Sequence, residues 1–337
     1  MPGGPPKPRR VIGRDTTTLR RAAVLELLGV CGCVAGTSAV GGAQAAPVHV
    51  RVGTTLADDI QSVLYAQRSG AYRRAGIDVE MIAAVNGAAI TAAVLSGAFD
   101  VGKSSLVALM SAHLHGLPVT ILAPAAVYDA RAPFSQLAVA VDSPAKTAKD
   151  LNGKLIGVPS LNDLNTVAIS AWMDANGGDS TTVKFVELPN SAAAIAVAEH
   201  RVEAEGLTHP WLADGLETGK VRVLGDDYSA IGNGFYISVW FTTTDYAAKN
   251  PDVVKAFTRI TLETALFTNG HHADTAAMVA EMTKIPLATV QKMPRVTMGT
   301  SVRAAAVQPM VDVAFKYKKI PRAFPARELV YEEIAPK

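Results

Sequence analysis

The stretch Ile77–Leu122, IDVEMIAAVNGAAITAAVLSGAFDVGKSSLVALMSAHLHGLPVTIL, decides the fold class. Its first seven residues alternate through Ile77, Val79 and Met81, the pattern of a strand with one covered face. Ala88–Leu95 then reads as a helix, Phe99–Val101 as a strand, Ser105–His115 as a helix and Val119–Leu122 as a strand. Strands separated by helices of about ten residues require crossover connections, and therefore a mostly parallel sheet with helices on both faces.

The same unit extends in both directions. Upstream, Val48–Gly53 is a short apolar strand and Ile60–Ala75 a helix with Gly70 and Gly76 as stops. From Tyr128 to Pro133 the periodicity fails, as expected of a crossing between lobes. A second series follows: strand Leu137–Val141, strand Leu155–Val158, helix Leu164–Asn176, strand Val183–Leu188, helix Ser191–Glu199, strand Ala204–Leu207 and strand Val221–Leu224. Leu164, Val167, Ala168, Ala171 and Trp172 form the stripe of a helix lying on a sheet, which assigns Trp172 to the core. Asp226–Gly234 is again polar, Phe235–Phe241 is a strand near a second crossing, and Pro251 opens a helical region running to about Tyr317, broken at Pro286 and Pro294. The expected fold class is α/β with two lobes. Residues 46–127 form the first part of lobe 1 and 128–235 form lobe 2. Residues 236–337 form the hinge return and C-terminal helices packing mainly on lobe 1.

The 337 residues suit two domains, and 49% hydrophobic against 18% charged residues is enough apolar material for cores. Residues 1–45 carry six basic and two acidic residues, leaving 26 basic and 28 acidic residues in the body. A body of net −2 lacks the basic surplus that nucleic acid or an anionic membrane would need, so neither is an expected partner. Ala22–Val40 is small and apolar after Arg20-Arg21, and Ala43-Gln44-Ala45 supplies a small-x-small cleavage site, so residues 1–45 read as an export signal and the protein as periplasmic. Glu26 and the interspersed glycines and serines break the run a membrane span needs. Arg9-Arg10 and Arg20-Arg21 leave general and twin-arginine export both open. Cleavage at Cys33 with lipid attachment is an alternative to the Ala-Gln-Ala site. Both cysteines, Cys31 and Cys33, lie inside the signal, so the body has no thiol chemistry.

The motifs of catalysis are missing. No closely spaced glycines join a strand to a helix as a phosphate cradle would, and no Gly-x-Ser-x-Gly elbow occurs. His113 and His115 point apart on a helix, and His271-His272 are adjacent in a loop, so no metal ligand set is expected. Asp58-Asp59 and Asp226-Asp227 are carboxylate pairs of the kind that cap helices or sit solvated on loops. No catalytic residue, metal ligand or cofactor is assigned.

What remains is a binding cleft beyond the carboxyl ends of the strands, where helix N-termini present free amides. Thr54-Thr55, Lys103-Ser104-Ser105, Ser160–Asp163 and Thr208–Trp211 each follow a strand, and each also fits an ordinary helix cap. The expected ligand-binding residues are Thr54, Thr55, Asp59, Lys103, Ser104, Ser105, Asn162, Asp163 and His209. Hydroxyl and amide groups would set orientation and charged groups would choose solute charge.

Leu95-Ser96-Gly97-Ala98-Phe99-Asp100-Val101-Gly102, His115-Gly116-Leu117-Pro118-Val119 and Asp150-Leu151-Asn152-Gly153-Lys154 resemble the periplasmic solute-binding proteins of the nitrate, sulfonate and taurine ABC importers. Ala66–Tyr72 with Gly76–Glu80, and Asn250–Phe257, fit the same family, and the likeness runs from about Val50 to about Phe267. The resemblance implies a type II periplasmic-binding fold, two lobes on two hinge segments. A small polar solute (sulfonate-, nitrate- or aminopyrimidine-like) would be captured between them by a monomer that delivers it to an inner-membrane ABC permease with its ATPase. Where the family usually has Gly and Asp, this chain has His200 and Glu203, and Asn162-Asp163 stands where hydroxyls often face a sulfonate. A carboxylate there repels an anion unless it faces away. With Lys103 it would suit a zwitterion or an amine-bearing heterocycle, and a capping role for Asp163 fits equally. Desulfinases and pyrimidine synthases share the fold, but they use cysteines that this body lacks. An enzyme of this type, or a solute sensor docking on a membrane receptor, is the alternative function.

Overall fold

The computed structural model describes residues 46–331; the expected export signal and Cys33 lie outside them. Among the described residues, eleven strands run in chain order: β1 (Val48–Thr54), β2 (Ile77–Ala83), β3 (Val101–Ser105), β4 (Val119–Val127), β5 (Ser135–Ala140), β6 (Leu155–Val158), β7 (Lys184–Glu187), β8 (Ala204–Thr208), β9 (Val221–Gly225), β10 (Tyr236–Thr243) and β11 (Thr297–Met298). They form two sheets, ordered β11-β4-β10-β3-β1-β2 and β7-β6-β8-β5-β9. In the first, β1 is parallel to β2 and β3, while β10 is antiparallel to β3 and β4, so four of six strands share one direction. In the second, β6 is parallel to β7 and β8, and β5 is antiparallel to β8 and β9, so four of five do. Each half is the mostly parallel α/β sheet expected, with one reversed strand inside it and, in the first, a reversed edge strand, β11.

Period-2 alternation puts successive side chains of these strands into different cores. In β10, Val239 and Phe241 join Ile90, Val94 and Leu109 on one face, while Trp240 joins Val254, Phe257 and Ile260 on the other. In β5, Leu137 and Val139 pack with Ile169 and Met173 of the helix Leu164–Ala175, and Ala138 and Ala140 face Ala193, Ala196 and Leu212. Helices on both faces thus follow from the near-continuous apolar runs.

Trp172 belongs to this second core as expected, and its ring lies on the backbone of Gly225, where a Cβ would sit 2.2 Å from Cζ2. Gly225→Ala is therefore expected to lower stability by about 1–3 kcal/mol. The check is a lower urea midpoint at unchanged m value.

Several features differ from the sequence reading: β4 runs on past Leu122 to Val127, and β11 lies inside the stretch read as helical, because both extend the first sheet's ladder. Gly70, at φ +74, splits the first helix into Gln61–Arg68 and Ala71–Arg74. A short helix, Trp211–Glu217, was not expected. Most important, Lys103-Ser104-Ser105 is strand and not loop, because Trp240, Val239 and Ser238 of β10 pair with it residue by residue.

The segments joining the two sheets run side by side. Tyr128 N donates to Phe235 O at 2.9 Å, Gly234 N to Tyr128 O at 3.0 Å, and the Tyr128 hydroxyl to Asp226 Oδ2 at 2.7 Å. Tyr128, Tyr228 and Phe235 pack around this junction with ring centroids 5.4–6.2 Å apart, Tyr128 stacked on Phe235 and edge-on to Tyr228.

Candidate solute cleft

Residues just after β1 and β6, and at the ends of β3 and β8, line one cleft of ≈560 Å³ of atom-free space, its open mouth included. These are carboxyl ends of strands, where parallel α/β sheets present ligands with loops and helix starts. Both halves contribute. Thr55, Asp59, Lys103, Ser104 and Ser238 come from the first; Asp163, Asn165, Asn190, Thr208 and Tyr228 from the second or its crossing.

The floor is a buried ion pair. Lys103 sits mid-strand, 2% exposed, and its Nζ donates to Asp59 Oδ1. Ser238 Oγ donates to the other carboxylate oxygen at 2.6 Å. Burial pulls the Lys103 ammonium below its ordinary value, against the opposing pull of Asp59. Asp58, one residue earlier on the same 3-10 turn, points the other way: Arg295 Nε and Val296 N donate to it at 2.9 Å. Burial raises the Asp58 carboxyl to about 6 against the pull of Arg295. The adjacent acids, expected on the surface or at caps, are thus both interior, and each is held by its own cation. Asp227 is likewise fully buried, and so corrects the same expectation.

From the opposite side, Asp163 caps the helix Leu164–Ala175, accepting from Leu164 N at 2.6 Å. Ser105 also bonds its carboxylate, across from the first half of the chain; burial nevertheless raises the Asp163 carboxyl, ahead of the lowering by Ser105, Leu164 and Lys103. Cap and cleft residue are one and the same here. Asn165 is locked by Nδ2 donating to Gly206 O at 2.9 Å and by the Tyr228 hydroxyl donating to its Oδ1 at 3.0 Å. Asn86 caps the helix Gly87–Leu95 through Ala89 N.

Of the residues expected from sequence, Thr55, Asp59, Lys103, Ser104, Ser105 and Asp163 come together in the cleft lining. Thr54, Asn162 and His209 do not. Thr54 ends β1 with its hydroxyl on Thr55 O, and Asn162 turns on Ser160. His209 is 2% exposed behind the cleft wall, its carbonyl accepting from Asp58 N at 3.3 Å; burial and then Arg295 take its imidazole down to about 4. Alternation at the end of β8 sends Thr208 into the cleft and its neighbour away. Sequence reasoning missed Asn86, Phe134, Asn165, Asn190, Tyr228 and Ser238, and in the candidate segment Thr208–Trp211 it chose His209 where Thr208 lines the cleft. Tyr228 and Ser238 lie in the second crossing and the strand after it, which is a signal that could have found them, since a hinge borders any interlobe cleft.

A family model described as NMT1/THI5 like matches residues 58–275. The 4-amino-5-hydroxymethyl-2-methylpyrimidine phosphate synthase of Schizosaccharomyces pombe is 26% identical over 211 residues, and the chain spans 58% of that relative's length as well as 58% of its own. The alkanesulfonate-binding protein SsuA of Xanthomonas axonopodis pv. citri, bound to MOPS, superposes with a TM-score of 0.72 at 17% identity, covering 86% of this chain and 99% of that one. The periplasmic nitrate-binding protein NrtA of Synechocystis PCC 6803 does so with a TM-score of 0.69 at 13% identity, covering 86% of each. These structures share the fold expected from the sequence resemblance. With its matched region covering well over half of its length, the chain belongs to the NMT1/THI5-like family.

Proposed function

We propose that this chain is the extracytoplasmic solute-binding component of an ABC importer, capturing a small polar organic solute between its halves and delivering it to a permease and its ATPase. The observation that carries this reading is a cleft lined by polar side chains from both sheets, beside two hydrogen-bonded crossing segments. A solute touching both walls favours the closed arrangement by its extra contacts, and the crossings are where the rotation would be absorbed. The likeness to sulfonate- and nitrate-binding proteins supports the same reading. An enzymatic role is the second reading, favoured by the likeness to the pyrimidine phosphate synthase.

The test is a thermal-shift screen of the purified chain against sulfonates, nitrate, amines and amino-substituted heterocycles, followed by calorimetry and mass spectrometry of the incubated solute. A binding protein shows a saturable shift following RT ln(1 + [L]/Kd) and returns the solute unchanged. A chemically altered solute would move the assignment to the enzyme.

A further inference from the structure

The charge of the cleft is set by three side chains, Asp59, Lys103 and Asp163. Lys103, the cation among the lining residues, is already engaged by Asp59, whose second oxygen is held by Ser238. An entering anion would have to draw Lys103 from a buried carboxylate, leaving that carboxylate unpaired at large cost. The other usual anion site, the N-terminus of the helix Leu164–Ala175, is filled by the carboxylate of Asp163. The N-terminus of Gly87–Leu95 is filled by Asn86, whereas Leu106–Leu114 and Asn190–Ala198 start at the cleft without a side-chain cap. Asp163 itself has no cation bonded to it; its partners in the structure are Leu164 N and Ser105. Independently, Thr208, 6% exposed, lines the cleft with a hydroxyl oxygen that has no partner, and the buried Asn190 Oδ1 is unpartnered as well. Asn190 Oδ1 calls for a hydrogen-bond donor, and the Thr208 hydroxyl can take either role.

We infer that the cleft selects a solute presenting an N–H donor group, cationic or uncharged, to Asp163, in preference to simple oxyanions. This rests on the solute-binding reading and gives it a chemical class. A protonated amine or amidine would complete the Asp163 carboxylate with a charge-assisted hydrogen bond, while Thr208 and Asn190 accept from further N–H or O–H groups. The fold is shared with sulfonate- and nitrate-binding proteins, so the difference lies in which side chains meet the solute.

Two probe sets test it by calorimetry at low salt: primary amines, amidines and amino-diazines in one arm, ethanesulfonate and nitrate in the other. The expected result is binding in the first arm only, with Asp163→Asn weakening the best binder by about tenfold or more. Asparagine caps helices as well as aspartate, so the variant is expected to keep its fold and its melting temperature without solute. Thr208→Val supplies a second variant, expected to weaken the same binder. Binding of ethanesulfonate or nitrate alone would overturn this inference and leave the importer reading standing. A first-arm binder whose affinity is untouched by Asp163→Asn would do the same. A chain that binds neither set would overturn both.

Discussion

Replacing Lys103 by methionine is expected to lower the unfolding free energy by about 3–5 kcal/mol, the usual cost of removing one partner of a buried ion pair. Methionine fills similar volume, so the loss comes from Asp59, left 3% exposed with Ser238 as its remaining bonded partner. Two apolar residues in place of the pair are far less damaging than one stranded charge, and Lys103→Met with Asp59→Leu is expected to recover most of the loss. Urea unfolding of the two single variants and the double one measures this as a coupling energy. If the double variant loses the sum of the two single losses, the ion pair carries no coupling and this account of the cleft floor is wrong.

Raising pH from 6.5 to 8 is expected to destabilise the protein by about 1.4 kcal/mol per pH unit for each carboxyl that keeps its proton in the fold. Glu205 is the clearest such group. It lies on β8 with its carboxylate over Gly157 of β6, where a Cβ would stand 2.4 Å from Oε2. It is wholly buried, neither oxygen has a partner, and burial raises it to about 8. The unfolded chain releases this proton near its ordinary value of 4.5, so the contribution is full below that point and is lost as pH rises through about 8. Asp227, also raised to about 8 by burial and then by Asp226, acts in the same direction. His209, lowered to about 4, acts oppositely, but mainly below its ordinary 6.5, which is why the upper window is chosen. Glu205→Gln is expected to remove its share of the slope. Equal slopes for variant and parent from pH 6.5 to 8 would sink the assignment.

The layered α/β plan was legible because a strand and a helix have different periods, and Ile77–Leu122 switches cleanly between them. β2 and β6 lie where alternation and apolar runs put them. Less legible was anything decided by a partner distant in sequence. Val-Gly-Lys-Ser-Ser has poor strand propensity, yet it is strand because β1 and β10 flank it, and only that pairing reveals Lys103 as a buried cation. The cleft was half legible for the same reason. Residues at strand ends such as Thr55 and Asp163 follow from the general position of ligands in such sheets. Tyr228 and Ser238 arrive through chain reversal at the second crossing, and the direction of His209 depends on one residue of alternation.

The first sheet is filled at its centre by β10, between β3 and β4, although β4 ends at Val127 and β10 begins at Tyr236. All five strands of the second sheet fall within that interval. The inserted half therefore has every strand it needs once Gly225 has been made, while the host half remains split until Thr243 is available. Pairing β10 with β3 and β4 closes a loop that contains the whole inserted half, so it is expected to follow the assembly of the second sheet. Since Lys103 and Ser238 belong to β3 and β10, the floor of the cleft forms at that same late step, so solute affinity is acquired only by a nearly finished chain.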